Sequence, residues 1–339
     1  MQVTTPPLPP PPAGEMKGGG TLAAAWRWLR PLFGLGLLAL LLWRVDWQEL
    51  THIVSQASLG YVGAALFIEL LNVVPRVLRW RALLITQGTR EPFLRLLSIY
   101  LVGSFFNNFL PSNVGGDSVR MLRLGQLTGR GADAASSVLV ERLCGLLAVL
   151  LMGVVAVLSN WRLASAGGIG FLVLGMFFVF ILGMLLLFNL RRVRSCVDRL
   201  PLTFPDRGGV RGVLAVLTSK LGKLYDSIYA FRSHGHALLV VLAFSFLFRL
   251  GDVFRLYVQS FALHVPISFI WLMMVISLIA VVTSVPLSLN AIGIQEGAYV
   301  FIFGLAGIAA PQALAMALLS RGLRLVVSLV GGVIYLLGK

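Results

Sequence analysis

The sequence predicts an all-α polytopic membrane protein with about eight hydrophobic segments, arranged as two inverted four-segment repeats that each contain a re-entrant broken hairpin. Of its residues, 58% are hydrophobic and only 12% are charged, and the mean hydropathy is +0.90. Several apolar runs reach the roughly 20 residues that a membrane-spanning helix needs. Two polar stretches, rich in Pro, Asn and Gly, interrupt these runs in separate halves of the chain. A soluble domain of this size does not have such a composition.

The distribution of charge and of metal-binding residue types excludes several function classes. A net charge of +15 would indicate nucleic acid in a soluble protein. Here the basic residues concentrate between apolar runs, where they set membrane orientation and contact anionic lipid headgroups. Cys144 and Cys196 form no CxxC pair, and the four histidines lack metal-ligand spacing. We therefore expect no metal, no cofactor and no nucleic-acid partner.

Composition divides the chain into four parts. A Pro- and Gly-rich tail has little apolar surface to bury and is predicted to be disordered and cytoplasmic. Two transmembrane repeats follow, with a basic cytoplasmic loop between them, and the second repeat begins before that loop, near residue 168. The parts are the tail 1–21, the first repeat 22–190, the basic loop 191–236 and the remainder of the second repeat 237–339.

The basic loop contains apolar residues at three-and-four spacing from Val210 to Phe231, with basic residues such as Lys220 on the other face. This pattern predicts an amphipathic helix that lies on the cytoplasmic leaflet. A helix packed onto another part of the protein is an equally good alternative.

The apolar runs and their basic flanks predict six full crossings with both termini in the cytoplasm, because positively charged loops stay inside. After the second run, the chain is expected to enter a basic cytoplasmic stretch that contains Arg76 and Arg79. The six crossings are Trp26–Trp43, Leu59–Val74, Ala134–Leu158, Gly168–Leu190, Leu238–Ala262 and Ala313–Leu337.

The stretch from Ser104 to Arg142 combines apolar surroundings with polar and charged groups. Such groups are costly to bury in a membrane and need partners, water or a ligand. Because basic residues flank Phe93–Asp117 on both sides, a re-entrant hairpin fits this segment better than a full crossing. Pro111 and the pair Gly115-Gly116 mark its turn. A polar loop at the membrane surface is the alternative.

A second broken motif, SVPLSLNAIGIQEG, follows the run Phe269–Leu289 and precedes a short helix predicted over Ala298–Ile308. Shifting the chain on itself by 179 residues superposes the two motifs together with their apolar surroundings. Transporters built from inverted repeats show this pattern, and their interrupted segments meet near the membrane midplane. The superposed residues are Asp117 on Glu296, Arg142 on Arg321 and Arg76 on Arg255.

The acids and arginines of the two motifs predict a substrate site. An arginine fork pairs well with carboxylate or phosphate, so two acid-held arginines would bind an anionic headgroup and stay neutral when the site is empty. Structural salt bridges that hold the hairpins in place are the alternative. The predicted substrate-binding residues are Asn107, Asn108, Asn113, Asp117, Arg120, Glu141, Arg142, Asn290, Glu296 and Arg321, and the predicted hairpin residues are Pro111, Gly115, Gly116, Pro286 and Gly293.

Two further acids, Glu69 and Asp252, also fall inside apolar runs, either as proton-coupling groups or as partners of Arg249 and Arg255. The sequence has no nucleotide-binding glycine loop, HExxH motif or cluster of metal ligands, so we expect no enzymatic activity and assign no catalytic residue. An intramembrane transferase, with one of the hairpin acids as general base, stays open.

Three motifs resemble the transmembrane region of lysylphosphatidylglycerol synthases, a module that also occurs in stand-alone flippase-like membrane proteins. They are NNFLPSNVGGDSVR at Asn107–Arg120, SSVLVERL at Ser136–Leu143 and PLSLNAIGIQEGAYVFIFG at Pro286–Gly304, and the likeness covers roughly residues 22–337. Ala291 departs from the pattern, since relatives often have glycine there, and this weakens the expected turn. The family pattern is met by Asn108, Leu110, Pro111, Gly116, Asp117 and Arg120, then by Glu141 and Arg142, and finally by Pro286, Gly293 and Glu296.

The resemblance implies a lipid or lipid-linked substrate. In the synthases a separate soluble domain attaches the amino acid, and we expect this chain alone not to make lysylphosphatidylglycerol. The expected function is a bacterial inner-membrane, flippase-like transporter of an anionic lipid or lipid-linked sugar, with membrane lipids and a lipid-modifying enzyme as expected partners. The alternatives are a non-transporting accessory subunit of a lipid-modifying glycosyl- or aminoacyl-transferase, and an intramembrane lipid transferase.

Overall fold

The computed structural model describes residues 45–109, 115–165, 168–188, 235–265, 267–284 and 291–338, with the single positions 36, 39, 43 and 231. The regular secondary structure of these residues is helical, as the sequence predicted. The predictions for the tail 1–21, the first crossing, the amphipathic helix and the residues Pro111, Asn113, Pro286 and Asn290 lie outside the described residues. The helices are α1 (Trp47–Ser55), α2 (Leu59–Leu71), α3 (Val73–Thr86), α4 (Phe93–Phe109), α5 (Gly115–Thr128), α6 (Gly131–Ser159), α7 (Trp161–Ser165), α8 (Ile169–Phe188), α9 (Gly235–Ala262), α10 (Phe269–Ser284), α11 (Ile294–Gly304) and α12 (Ala310–Leu336).

Four helical stretches of the described chain are long and apolar enough to cross a membrane. Two shorter apolar helices, Ile169–Leu185 and Phe269–Ser284, accompany them. This agrees with the predicted polytopic all-α membrane fold, whereas the count of eight segments and the inverted arrangement stay predictions. The four long stretches are Leu59–Thr86, Asp133–Ser159, Gly235–Ala262 and Ala310–Leu336.

The second apolar run is longer than the sequence indicated, because α2 continues into α3 after an interruption at Asn72. Pro75 accounts for the interruption, since proline cannot donate a hydrogen bond to the preceding turn and is tolerated only near a helix start. The predicted basic stretch with Arg76 and Arg79 is therefore helical, and the side of the membrane on which it lies stays a prediction. Both residues belong to α3, within a stretch of membrane-spanning length.

Helices α4 and α5 form the first broken segment and pack antiparallel. The ring of Tyr100 lies under the guanidinium of Arg120, and Gly103 lies against Gly116. The Gly116 amide also donates a hydrogen bond of 3.3 Å to Asn107 Oδ1. Because α5 runs on to Thr128, the basic residues Arg120 and Arg123 lie on a helix.

A helix from each half of the chain packs against a long helix of the other half. Helix α4 packs against α12, where a Cβ at Gly332 would collide with the Phe105 ring. Helix α10 packs against α6, where Ser277 Oγ donates a 2.7 Å hydrogen bond to the Val149 carbonyl and leaves no room for a side chain at Gly153. Each broken segment is thus held by a long helix from the other half.

We predict that Gly116→Ala destabilises the hairpin, because the added methyl group would overlap the Gly103 carbonyl of α4. Overpacking of this kind costs about 1–3 kcal/mol. Gly63→Ala in α2 is the matched control, since a Cβ there meets nothing within 4 Å, and alanine favours a helix by about 1 kcal/mol. Thermal unfolding of the purified variants in detergent measures both. Equal melting temperatures for the two variants would contradict the close packing of α4 on α5.

Candidate functional site

The first acid–arginine pair joins Asp117 in the first turn of α5 to Arg142 on α6. Arg142 Nη2 lies 2.5 Å from Asp117 Oδ2, and Arg142 Nε donates to the same oxygen at 2.8 Å. The arginine side chain is 44% exposed and the aspartate side chain 17%. This sequence-predicted pair is therefore formed and reaches the protein surface.

The neighbouring acid, Glu141, is enclosed by two arginines. Arg79 Nη2 lies 2.5 Å from one carboxylate oxygen and Arg120 Nη2 lies 2.6 Å from the other. The Arg120 guanidinium is also stacked between the rings of Trp80 and Tyr100, at 4.4 and 4.5 Å from their centroids. A carboxylate that is buried and bonded on both oxygens has a structural role, which favours the salt-bridge alternative for Glu141 and Arg120.

The asparagines of the first motif connect helices. Asn107 accepts from Gly116 across the hairpin, and Asn108 Nδ2 donates to Ser328 Oγ on α12 at 2.7 Å. Both lie in the last turn of α4, beside the interruption. The positions of Asn113 and Asn290 lie outside the described residues.

The second acid–arginine pair repeats the first. Arg321 Nε on α12 donates to Glu296 Oε1 at 2.5 Å, and the other oxygen of Glu296 accepts from the Gly293 amide at 2.8 Å, which caps the start of α11. Gly293 has φ +77° and Ala291 has φ +53°, so the turn forms although alanine is disfavoured in this conformation. Arg321 Nη2 also reaches the Ala291 carbonyl at 3.4 Å.

A third group of charges lies where the two halves meet. Glu69 on α2 pairs with Arg76 at 3.2 Å and with Arg255 of α9 at 2.9 Å. Asp252 pairs with Arg76 at 3.5 Å and with Arg249 at 3.4 Å. The sequence left open whether these acids are proton-coupling groups or partners of arginines. The structure shows both as partners of arginines. Within the described part of the chain, this network has no ion pair to either hairpin acid.

Sequence reasoning missed three participants: Arg79, Gln295 and Arg324. Arg324 Nη2 donates to Gln295 Oε1 at 2.7 Å. Two of them could have been found from their spacing, because Arg324 lies three residues after the predicted site residue Arg321, and Gln295 directly precedes the predicted site residue Glu296. Arg79 gave no local signal, since its partner Glu141 is 62 residues away.

Two cavities border this part of the fold. An apolar groove of about 530 Å³ between α2, α3 and α9 is lined by Leu71, Pro75, Leu247 and Phe254. A polar cavity of about 100 Å³ includes Arg249, Asp252 and Arg255. By helical spacing, the two sets of α9 residues face in different directions. Among the described residues, no group of three His, Cys, Asp or Glu side chains could hold a metal.

The comparison with known proteins agrees with the resemblance seen in the motifs. A UPF0104 membrane protein of Pyrococcus horikoshii is 19% identical over 325 residues, which cover 91% of this chain and 96% of that protein. No solved structure matches the chain. Residues 27–332 match the family described as "Lysylphosphatidylglycerol synthase TM region". Because this match spans most of the sequence, the chain belongs to the family of lysylphosphatidylglycerol synthase transmembrane regions.

Proposed function

We propose that this protein is a flippase-like transporter that moves an anionic lipid or lipid-linked sugar between the leaflets of a bacterial inner membrane, with both termini in the cytoplasm. The observation that carries the proposal is the repeated acid–arginine pair. Each acid lies in the first turn of the second helix of a broken segment, and its arginine lies 25 residues later on a long helix. Transporters with internal repeats form their substrate sites from such interrupted segments.

An internal repeat is supported by the helix boundaries. Helices α5 and α11 begin at Gly115 and Ile294, and α6 and α12 begin at Gly131 and Ala310. Both differences are 179 residues (294 − 115 and 310 − 131), the shift that superposes the two motifs.

Reciprocal packing supports a two-fold axis between the halves. The pair α4–α12 corresponds to α10–α6 under the same shift, and both pairs are in contact. Asn72 lies against Gly251, and these positions are also 179 residues apart. Contact between equivalent positions is expected where a two-fold axis passes between them.

Two features of opposite polarity, an apolar groove and a charged pair, support a lipid substrate. The groove beside Pro75 is apolar and large enough for part of an acyl chain, while the exposed Asp117–Arg142 pair offers a carboxylate and a guanidinium to a headgroup. Arginine exchanges one carboxylate partner for a phosphate or carboxylate ligand without leaving its charge unpaired. A polar headgroup would then move along the protein while its acyl chains stay in lipid.

We predict that Asp117→Asn and Arg142→Ala each slow leaflet exchange about tenfold or more, because each variant removes charge-assisted hydrogen bonds. Fluorescent phosphatidylglycerol and a fluorescent lipid-linked sugar, reconstituted in proteoliposomes with a membrane-impermeant quencher, report the exchange. Arg95→Gln is the control, since Arg95 is 55% exposed and its ion pair with Glu91 is local. Exchange at the same rate in all four proteins would contradict the site. Loss of a partner transferase's activity without any change in exchange would favour the accessory-subunit alternative.

We predict a different result for Glu141→Gln. This substitution leaves Arg79 and Arg120 buried without their shared carboxylate, and breaking a buried ion pair costs about 3–5 kcal/mol. The variant should therefore lose folded protein in thermal unfolding and size-exclusion experiments, whereas Arg142→Ala should not. A folded Glu141→Gln protein with native stability and slow exchange would move Glu141 from the structural group to the substrate site.

A further inference from the structure

The polar cavity between α9, α10, α11 and α12 is separate from the Asp117–Arg142 pair. It has a volume of about 100 Å³, which admits a phosphate-sized group. Its polar lining comes from all four helices and includes one carboxylate, Asp252, beside Arg249, Arg255, Thr283, Gln295, Tyr299 and Arg324. Nearby, Arg321 is already paired with Glu296.

The positive charge around this cavity exceeds the negative charge. Its ion-pair network contains Glu69 and Asp252, which pair with Arg76, Arg249 and Arg255. Arg324 adds a fourth guanidinium, whose hydrogen bond goes to a neutral amide. Among the described residues, no carboxylate lies within 4 Å of Arg324. In this part of the structure, four arginines facing two carboxylates leave two positive charges, which a bound anion would balance.

Hydrogen-bond donors at the cavity also lack partners. Gln295 is only 7% exposed, and its Nε2 has no hydrogen-bond partner within the described structure, as is true of Arg249 Nε. The Gln295 carbonyl oxygen is occupied by Arg324, so the side-chain amide is fixed with its donor end available. Buried donors without partners are destabilising, and an anion would satisfy both the donors and the excess charge.

We propose that this cavity binds a phosphoryl group, held mainly by Arg249, Arg324 and Gln295. The forked guanidinium groups match the paired oxygens of a phosphoryl group, and Gln295 Nε2 adds a neutral donor. Arg255 contributes charge rather than a vacant donor, because it already bonds to neighbouring side chains on α9 and α12 and pairs with an acid of α2. The shared chemistry covers a free phosphate and the phosphate of a lipid headgroup.

The inference deepens the proposed function, since it rests on that function for the use of a lipid phosphate during transport. Binding itself does not depend on transport. A test of binding in detergent therefore separates failure of the cavity from failure of the flippase proposal, which leaflet exchange examines.

The test is the thermal unfolding of the full chain in a maltoside detergent, which has no phosphate group. Sodium phosphate is titrated against sodium chloride at equal ionic strength and pH, and phosphatidylglycerol is compared with diacylglycerol in mixed micelles. We expect phosphate or phosphatidylglycerol to raise the melting temperature of the native protein. Arg324→Gln should weaken the apparent affinity about tenfold or more, and Arg95→Gln should leave it unchanged.

The two arms identify the source of the phosphate. Stabilisation by phosphatidylglycerol alone assigns the cavity to a lipid headgroup, and stabilisation by sodium phosphate assigns it to a small anion as well. Gln295→Ala carries the same expectation if Arg324→Gln yields no folded protein. The proposal is overturned if each phosphate source that stabilises is matched by its phosphate-free counterpart, if neither phosphate source stabilises, or if the cavity variants respond like the native protein.

Discussion

Glu69 is the constraint on which the rest of the structure depends. This carboxylate is buried and pairs with Arg76 from its own half of the chain and with Arg255 from the other half. An isolated guanidinium inside an apolar core costs several kcal/mol, and this acid compensates one arginine of α3 and one of α9 at the same time. The interruption at Asn72, imposed by Pro75, lies between the acid and its first arginine and brings the asparagine amide into a hydrogen bond with α9. The contact between the two halves is therefore electrostatic at its centre, although apolar packing surrounds it.

Arginine burial also explains what could and could not be predicted from the sequence. Hydrophobic runs and basic flanks located most of the long helices to within a few residues, and glycines marked the starts of α5 and α11, because these signals are local. The pairs Asp117–Arg142 and Glu296–Arg321 were predictable because the same 25-residue spacing occurs in both halves. The partnership of Arg79 with its distant glutamate was not, because a charged residue beside an apolar run resembles a loop residue until that partner is known. The same ambiguity shortened the predicted second crossing.

Three sets of charges differ in how completely their charges are satisfied: Glu141 with its two arginines, the Asp117–Arg142 pair, and the residues around the polar cavity. That difference separates structural residues from candidate functional ones. Glu141 is enclosed and bonded on both oxygens, which leaves no site for a ligand. Asp117 and Arg142 are paired but partly exposed, so a headgroup can replace one partner without leaving a buried charge alone. Around the polar cavity, donors and positive charge of the described residues remain in excess, which favours an anion from outside the chain. If the most buried charge were taken as the functional one, Glu141 would come before the Asp117–Arg142 pair, although its charge is the more completely satisfied.

A repeated fold need not produce two equivalent sites. Under the 179-residue shift, Arg324 of the second half corresponds to Gly145 of the first half, which has no side chain to carry a charge. The space beside this glycine is filled instead by Arg79, whose Nη1 would lie 3.0 Å from a Cβ at Gly145. Arg79 brings its charge to Glu141, whereas Arg324 at the equivalent place donates to a neutral amide. If the proposed repeat is correct, the excess positive charge arises from a difference between its two halves, which places the proposed anion on one side of the proposed two-fold axis.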